Sequence, residues 1–171
     1  MNRFGCPGHV PDSTPGVREQ LGALPASQVL IGLGTGRQPV GIGLDTGSPH
    51  VLVCSTSGGG TSTALRTLAA QVLHHGGDAL ILDTKRISQT WARGLPGVTY
   101  RCDIAGIHDA PLGLATELQR RLHLDDAPRL MVVLDQADTT LRHLGREWFR
   151  DTEPLAGGWN RSGQEVFLLF Q

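Results

Sequence analysis

The chain has 171 residues, which is enough for one compact domain with a hydrophobic core. Its formal net charge of -1 excludes a uniformly basic nucleic-acid-binding protein, so any contact with DNA must be local. No apolar run approaches the roughly 18 residues that span a membrane, and the N-terminus lacks the apolar middle of a signal peptide, so we expect a cytoplasmic protein with no membrane segment.

The N-terminal part of the chain divides into a loose segment and a hairpin. Residues 1–23 are predicted to be loose, because prolines recur there without any periodic pattern. Residues 24–171 are predicted to form a single domain. At its start, the stretches 28–34 and 39–45 alternate apolar and small residues around Thr35-Gly36-Arg37-Gln38, which predicts a β-hairpin.

From residue 49 onward, strand and helix patterns alternate. The alternation predicts an α/β fold, with a mostly parallel sheet flanked by helices and preceded by the hairpin. Pro111 is expected to kink or restart the helix that contains it. The predicted strands are 51–54, 79–83, 98–100 and 130–134, and the predicted helices are 62–75, 87–93, 104–122 and 139–150.

The stretch VLVCSTSGGGTSTALRTLAAQVLHHGG, residues 51–77, has the order of a phosphate-binding loop: a strand, glycines and an amphipathic helix. A full loop reads G-x-x-x-x-G-K-S/T, and here Ser62 takes the magnesium position. Ser55 replaces the first glycine and Thr61 replaces the lysine. A glycine-rich turn that merely packs is the alternative. The candidate nucleotide-binding residues are Ser57, Gly58, Gly59, Gly60, Thr61, Ser62 and Thr63.

A second motif, RLMVVLDQA, ends an apolar strand with Asp135. A parallel strand at this place would deliver the carboxylate to the magnesium ion of the same loop, so Ser62 and Asp135 are the candidate metal ligands. Gln136 stands where a catalytic Glu would activate water, and an amide cannot accept a proton. Asp135 and Gln136 thus occupy the catalytic positions, and ATP with Mg²⁺ is the expected cofactor, bound weakly or not at all.

These motifs together resemble the FtsK/SpoIIIE family of DNA-translocating ATPases, and most closely its actinobacterial members. The likeness runs from about residue 24 to Gln171 and rests on the order of SPHVLV, RTLAAQVLHHGGDALILDTKR, WARGLPGVTY and LMVVLDQAD. It implies a RecA-like α/β phosphate-loop motor domain that assembles into hexameric rings around duplex DNA and couples ATP hydrolysis to translocation.

The resemblance also assigns individual positions. Thr61 and Gln136 depart from the family pattern. The family continues beyond the region like SGQEVFLLFQ, so the domain is predicted to be incomplete at its C-terminal end. Residues 165–170 are rich in β-formers and are predicted to form a strand, although the resemblance implies a helix. The matched positions are Gly58, Gly60, Ser62 and Thr63 in the loop, Asp135, and Asp83, Lys85 and Arg86 of the motif Asp-x-Lys-Arg.

Four functions remain open from the sequence. The first is a non-hydrolysing pseudo-ATPase that binds a nucleotide or a partner. The second is an active ATP- and DNA-binding translocase subunit, in which Lys85 or Arg86 reaches the phosphates and a homo-oligomer or a related full-length ATPase completes the site. The third is a nucleotide-free DNA- or protein-binding module, and the fourth is a shortened gene product whose fold outlives its function. Local positive charge for the third comes from Arg120, Arg121, Arg142, Arg146, Arg150 and Arg161.

Overall fold

The computed structural model describes residues 24–45 and 49–151, together with Glu19 and Gly22, and for residues 147–151 it describes the backbone alone. The rest of the predicted loose segment and the predicted strand 165–170 lie outside the described residues. The chain divides into two compact units, one up to Val51 and the other from Leu52. The single domain over 24–171 stays a prediction.

The N-terminal unit contains an antiparallel hairpin, as predicted. Strand β1 (Gln28–Leu33) pairs with β2 (Pro39–Gly43), and the register shifts between Leu30 and Gly32. A single 3₁₀ turn joins the strands, and Gly36 within it adopts a φ of 77°, a left-handed conformation that glycine adopts without strain. The predicted hairpin is therefore confirmed.

The second unit is built on a three-stranded parallel sheet of β3 (Asp78–Asp83), β4 (Val98–Arg101) and β5 (Leu130–Asp135), with the strand order β4-β3-β5. Helices flank this sheet, so the α/β prediction with a parallel sheet and an N-terminal hairpin is confirmed. Among the described helices, none combines the length and the apolar character that crossing a membrane requires. The elements are α1 (Thr61–His74), β3 (Asp78–Asp83), β4 (Val98–Arg101), α2 (Ile104–Leu122), β5 (Leu130–Asp135) and α3 (Ala137–Asp151).

Apolar side chains cover both faces of the sheet, with β3 in the middle. Residues 79–83 of β3 are all buried, as expected for a central parallel strand. Ala79 and Ile81 point to a cluster that includes Ala69 of α1. Leu80 and Leu82 point to the opposite cluster, which includes Ile107 of α2. The sheet is thus held between α1 on one side and α2 on the other.

The predicted strand 51–54 is wrong. Residues 51–56 have no regular secondary structure, and Leu52 is 85 % exposed. A strand forms only when its backbone groups pair with a neighbour. Among the described residues, the sheet contains three paired strands and none of them pairs with this segment. The segment is therefore not a strand in the described structure, although its residues favour one.

The predicted helix 87–93 is also wrong, since only Thr90–Ala92 form a short 3₁₀ turn. The carboxylate of Asp83 accepts hydrogen bonds from the backbone N–H groups of Arg86 (3.1 Å) and Gln89 (2.9 Å). Arg86, which precedes the predicted helix, has a φ of 64° and lies in the left-handed region. The buried carboxylate thus holds the loop 84–89 against the end of β3, and the chain continues from it into the 3₁₀ turn.

Helix α2 has the predicted bounds and runs through Pro111 without restarting. Its N-cap is Asp103, whose side chain accepts the Gly106 N–H at 2.8 Å. The same hydrogen bond lowers the pKa of Asp103. A proline inside a helix removes one backbone hydrogen bond, and here its ring is buried in compensation. The helix does not restart at Pro111, which leaves the kink as the open part of the prediction.

A group of ion pairs fastens the C-terminal half of α2 to the start of β3. Arg121 contacts Glu117 at 2.6 Å and Asp78 at 2.8 Å, and it also donates to the carbonyl of Pro128. Arg120 contacts Glu117 as well, at 2.7 Å. The hydrogen bonds that Glu117 accepts from Arg120, which has the larger effect, and from Arg121 lower the pKa of Glu117 from its ordinary 4.5 to about 2.

We expect the substitution Glu117→Gln to reduce the loss of stability in acid. Because the folded-state pKa lies below the unfolded one, the stabilisation is present above pH 4.5 and is lost as the pH falls towards 2. Chemical denaturation across this pH range measures the effect. The exposed carboxyl of Asp125 supplies a control, Asp125→Asn. Equal pH dependence in Glu117→Gln and in the original chain would contradict the assignment.

Candidate functional site

Two buried carboxylates mark the carboxyl edge of the sheet in the second unit. Asp83 ends β3 and Asp135 ends β5, and the two residues are partners in the parallel register. Each is 1 % exposed. In open α/β sheets, ligands bind outside the carboxyl ends of the strands. This edge is therefore the first place to look for a site.

The carboxylate of Asp83 serves the fold. Besides the N–H groups of Arg86 and Gln89, it accepts the hydroxyl of Tyr100 at 2.9 Å. Burial raises the pKa of Tyr100, and the guanidinium of Arg93 lies over its ring, 4.6 Å from the centroid. Because three protein donors already contact Asp83, its role is to shape the loop 84–89.

Asp135 has a different set of partners. Its Oδ1 accepts a hydrogen bond from Ser62 Oγ at 3.2 Å, and its Oδ2 accepts one from Gln89 Nε2 at 2.9 Å. Ser62 lies in the first turn of α1, 73 residues away in the sequence. The structure thus brings together the two residues that the sequence analysis named as metal ligands.

Sequence reasoning missed Gln89. Its side chain is fully buried, and Nε2 also donates to the Ser62 carbonyl at 3.1 Å. Its Oε1 accepts the indole N–H of Trp91 at 2.8 Å. No spacing motif marks this residue, because a single glutamine inside a short predicted helix indicates no particular contact. Its importance comes from the loop conformation that Asp83 imposes.

The glycine loop precedes α1 and is exposed from Cys54 to Gly60. Gly58 and Gly60 have φ values of 79° and 87°, in the left-handed region that glycine tolerates best. The first hydrogen bond of α1 runs from the Ala64 N–H to the Gly60 carbonyl. Among the described residues, the backbone N–H groups of residues 61–63 have no protein acceptor. The helix therefore begins with donors that an anion can use.

The two departures from the phosphate-loop pattern contact each other. Ser55 Oγ and Thr61 Oγ1 lie 2.6 Å apart, within hydrogen-bonding distance. Ser55 also packs against Gly59, where an added Cβ would lie 2.6 Å from both the Cβ and the Oγ of Ser55. Thr61 therefore turns back towards the start of the loop, and it brings no positive charge to an anion.

Gln136 follows Asp135 directly and has a φ of 59°. Its carbonyl accepts the N–H groups of Thr139 and Thr140, at 3.1 and 3.0 Å, at the start of α3. Thr140 is fully buried and donates to the Asp135 carbonyl at 3.4 Å. The left-handed conformation of Gln136 thus turns the chain from β5 into α3.

The basic residues of the alternative hypotheses are engaged elsewhere or exposed. Arg86 Nε donates to the Cys102 carbonyl at 3.1 Å, which directs it to the end of β4. Lys85 is exposed. Arg142 pairs with Asp138, and Arg120 and Arg121 pair with acids as described above. The side chains of Arg150 and Arg161 lie outside the described part of the chain.

No protein-family model matches this chain, and no curated protein shows significant similarity to it. Membership of the FtsK/SpoIIIE family therefore stays a prediction from the motifs.

We expect Gly59→Ala to destabilise the second unit by about 1–2 kcal/mol, since the new methyl group overpacks the loop. It would lie 2.6 Å from Ser55 and 2.9 Å from the Thr56 carbonyl. Chemical denaturation measures the change. Combining it with Ser55→Gly removes the nearest contacts and should recover part of the loss.

Gly113→Ala is the matched control for this loop variant. Gly113 lies inside α2, and an added Cβ there meets nothing within 4 Å. This substitution should stabilise the protein by about 0.5–1 kcal/mol, because alanine is the better helix former. Equal effects of the two alanine substitutions would contradict the tight packing of the glycine loop.

Proposed function

We propose that the second unit is a RecA-like phosphate-loop domain related to the FtsK/SpoIIIE translocases, and that it binds ATP with Mg²⁺ weakly without hydrolysing it at an enzymatic rate. The observation that carries this proposal is the contact of 3.2 Å between Ser62 Oγ and Asp135 Oδ1. It joins the helix that follows the glycine loop to the end of the strand that carries the second motif.

The residues present fit a magnesium ion. Mg²⁺ prefers oxygen ligands and keeps several waters, so it needs few protein groups besides the phosphates. Ser62 would contribute its hydroxyl and Asp135 its carboxylate. The ion would supply positive charge against the phosphate oxygens. The unused backbone donors at the start of α1 would meet the phosphates from the protein side.

Two residues argue against hydrolysis. Thr61 is neutral and bonds to Ser55, so the charge that lysine gives the phosphates is lacking. Removing one such stabilising contact costs about 10²–10³ in rate. Gln136 cannot take a proton from water, and a general base contributes about 10²–10⁴ in rate. Both losses together would slow hydrolysis by a factor on the order of 10⁴ or more.

A second candidate function is a partner-binding module without nucleotide. The bond of 2.6 Å between Ser55 and Thr61 favours it, since the loop is closed by its own side chains. The resemblance supports the same partners for both candidates: duplex DNA, a homo-oligomer or a related full-length ATPase. The two candidates differ in whether ATP stabilises the protein.

We expect ATP with Mg²⁺ to raise the thermal unfolding midpoint of the full chain. A ligand at about 100 times its Kd adds about 2.7 kcal/mol of stability. Ser62→Ala should weaken the response to Mg²⁺-ATP, because it removes one proposed ligand, while the response to ATP in EDTA stays the same. Isothermal titration calorimetry gives the corresponding Kd values.

Two results would decide against the proposal. The lack of any Mg²⁺-ATP response would leave the nucleotide-free module as the better function. Phosphate release faster than about one per minute, which is slow for an enzyme, would show that the domain hydrolyses ATP after all. The double variant Thr61→Lys with Gln136→Glu asks whether the remaining scaffold supports hydrolysis, and phosphate release measures it.

A further inference from the structure

Gln89 is fully buried, and its side chain joins the loop after β3 to both halves of the candidate site. Its Nε2 lies 2.9 Å from Asp135 Oδ2 and 3.1 Å from the carbonyl of Ser62. These are the two residues that the proposed function assigns to magnesium. Neither the resemblance nor the motifs give Gln89 any role.

We propose that Gln89 is the positioning residue of the magnesium site, and that its amide holds Oδ2 of Asp135 so that Oδ1 faces Ser62. This inference rests on the proposed function and names the residue that orients its metal ligand. Gln89 does not itself contact the nucleotide or the metal ion. It acts through Asp135.

The orientation of the amide follows from its neighbours. The indole N–H of Trp91 is a donor only, so the amide atom that faces it must be the oxygen. The NH₂ group is then directed to Asp135 and to the Ser62 carbonyl, which are both acceptors. Every partner of the side chain agrees with this single orientation, and a glutamate could not satisfy it.

The position of the Gln89 backbone is fixed as firmly as its side chain. Its N–H donates to Asp83 Oδ2 at 2.9 Å, and Arg66 of α1 donates to the neighbouring Ser88 carbonyl at 2.7 Å. The peptide group between Ser88 and Gln89 is therefore bonded to β3 through its N–H and to α1 through its carbonyl. Asp135 is 1 % exposed, so Gln89 reaches Oδ2 from within the protein.

The substitution Gln89→Glu tests this inference in the full chain. It keeps the shape and the acceptor for Trp91 but replaces the donor to Asp135 with a carboxyl oxygen. We measure the Kd of ATP in Mg²⁺ and in EDTA by titration calorimetry. The factor by which Mg²⁺ tightens binding should fall about tenfold or more, as when an outer partner of a metal ligand is lost, while the Kd in EDTA stays nearly unchanged.

Tyr100→Phe is the matched control. It removes a hydrogen bond of the same length, 2.9 Å, from the other buried carboxylate, Asp83. A loss of stability without any change in the Mg²⁺ factor is the expected result. If Tyr100→Phe lowers the Mg²⁺ factor as much as Gln89→Glu does, the effect is general loosening of the sheet edge and the positioning role is overturned.

A readout without nucleotide accompanies the binding data. In the ligand-free protein, Gln89→Glu should lower the unfolding midpoint, and adding Asp135→Asn should recover part of that loss because the amide again faces a carboxyl group. Additive effects of the two substitutions would overturn the inference.

The two proposals fail in different ways. A normal Mg²⁺ response in the original chain, with the same Mg²⁺ factor in Gln89→Glu, overturns the role of Gln89 and leaves the proposed function intact. If the original chain shows no Mg²⁺-ATP binding, the proposed function fails, and the magnesium role of Gln89 fails with it even where the coupling to Asp135 is present.

Discussion

The second unit depends on one constraint: two carboxylates are buried side by side at the ends of β3 and β5, and each must find hydrogen-bond donors inside the protein. Asp83 takes its donors from the backbone of the following loop and from Tyr100. That loop consequently folds back over the sheet edge and carries Gln89 into the interior. Asp135 is then held between the loop and α1. The same requirement accounts for the meeting of α1 with β5, where the Ser62 hydroxyl donates to Asp135.

Local patterns predicted much of the architecture. The alternation of apolar residues predicted the hairpin, the three parallel strands and the bounds of α2. The spacing of two motifs also placed Ser62 beside Asp135. The errors lie where distant groups decide the outcome. Residues 51–54 have the composition of a strand and lack a described partner, and the segment 87–93 is held by contacts of Gln89 with Ser62 and Asp135. Gln89 could not be found from its neighbours in the sequence, because its partners are up to 46 residues away.

The glycine loop combines retained and altered features in a physically consistent way. Gly58 and Gly60 adopt left-handed conformations, and α1 begins directly after them. Ser55 and Thr61, the two positions that differ from the phosphate-loop pattern, form a hydrogen bond with each other. Ser55 also fills the space against Gly59. Such a loop is stabilised without a ligand, and an incoming phosphate would have to compete with an internal hydrogen bond that an ordinary lysine-bearing loop does not make.

The backbone at Gln136 bears on how this site could change over time. Its left-handed turn is maintained by the carbonyl that receives two amides of α3, and the amide side chain takes no part in those bonds. Glutamate has the same length and branching as glutamine, so the backbone turn accommodates either side chain, although glutamate would place a second carboxylate next to the buried Asp135. A carboxylate could therefore be introduced beside Asp135 without a change in the direction in which the chain passes from β5 into α3.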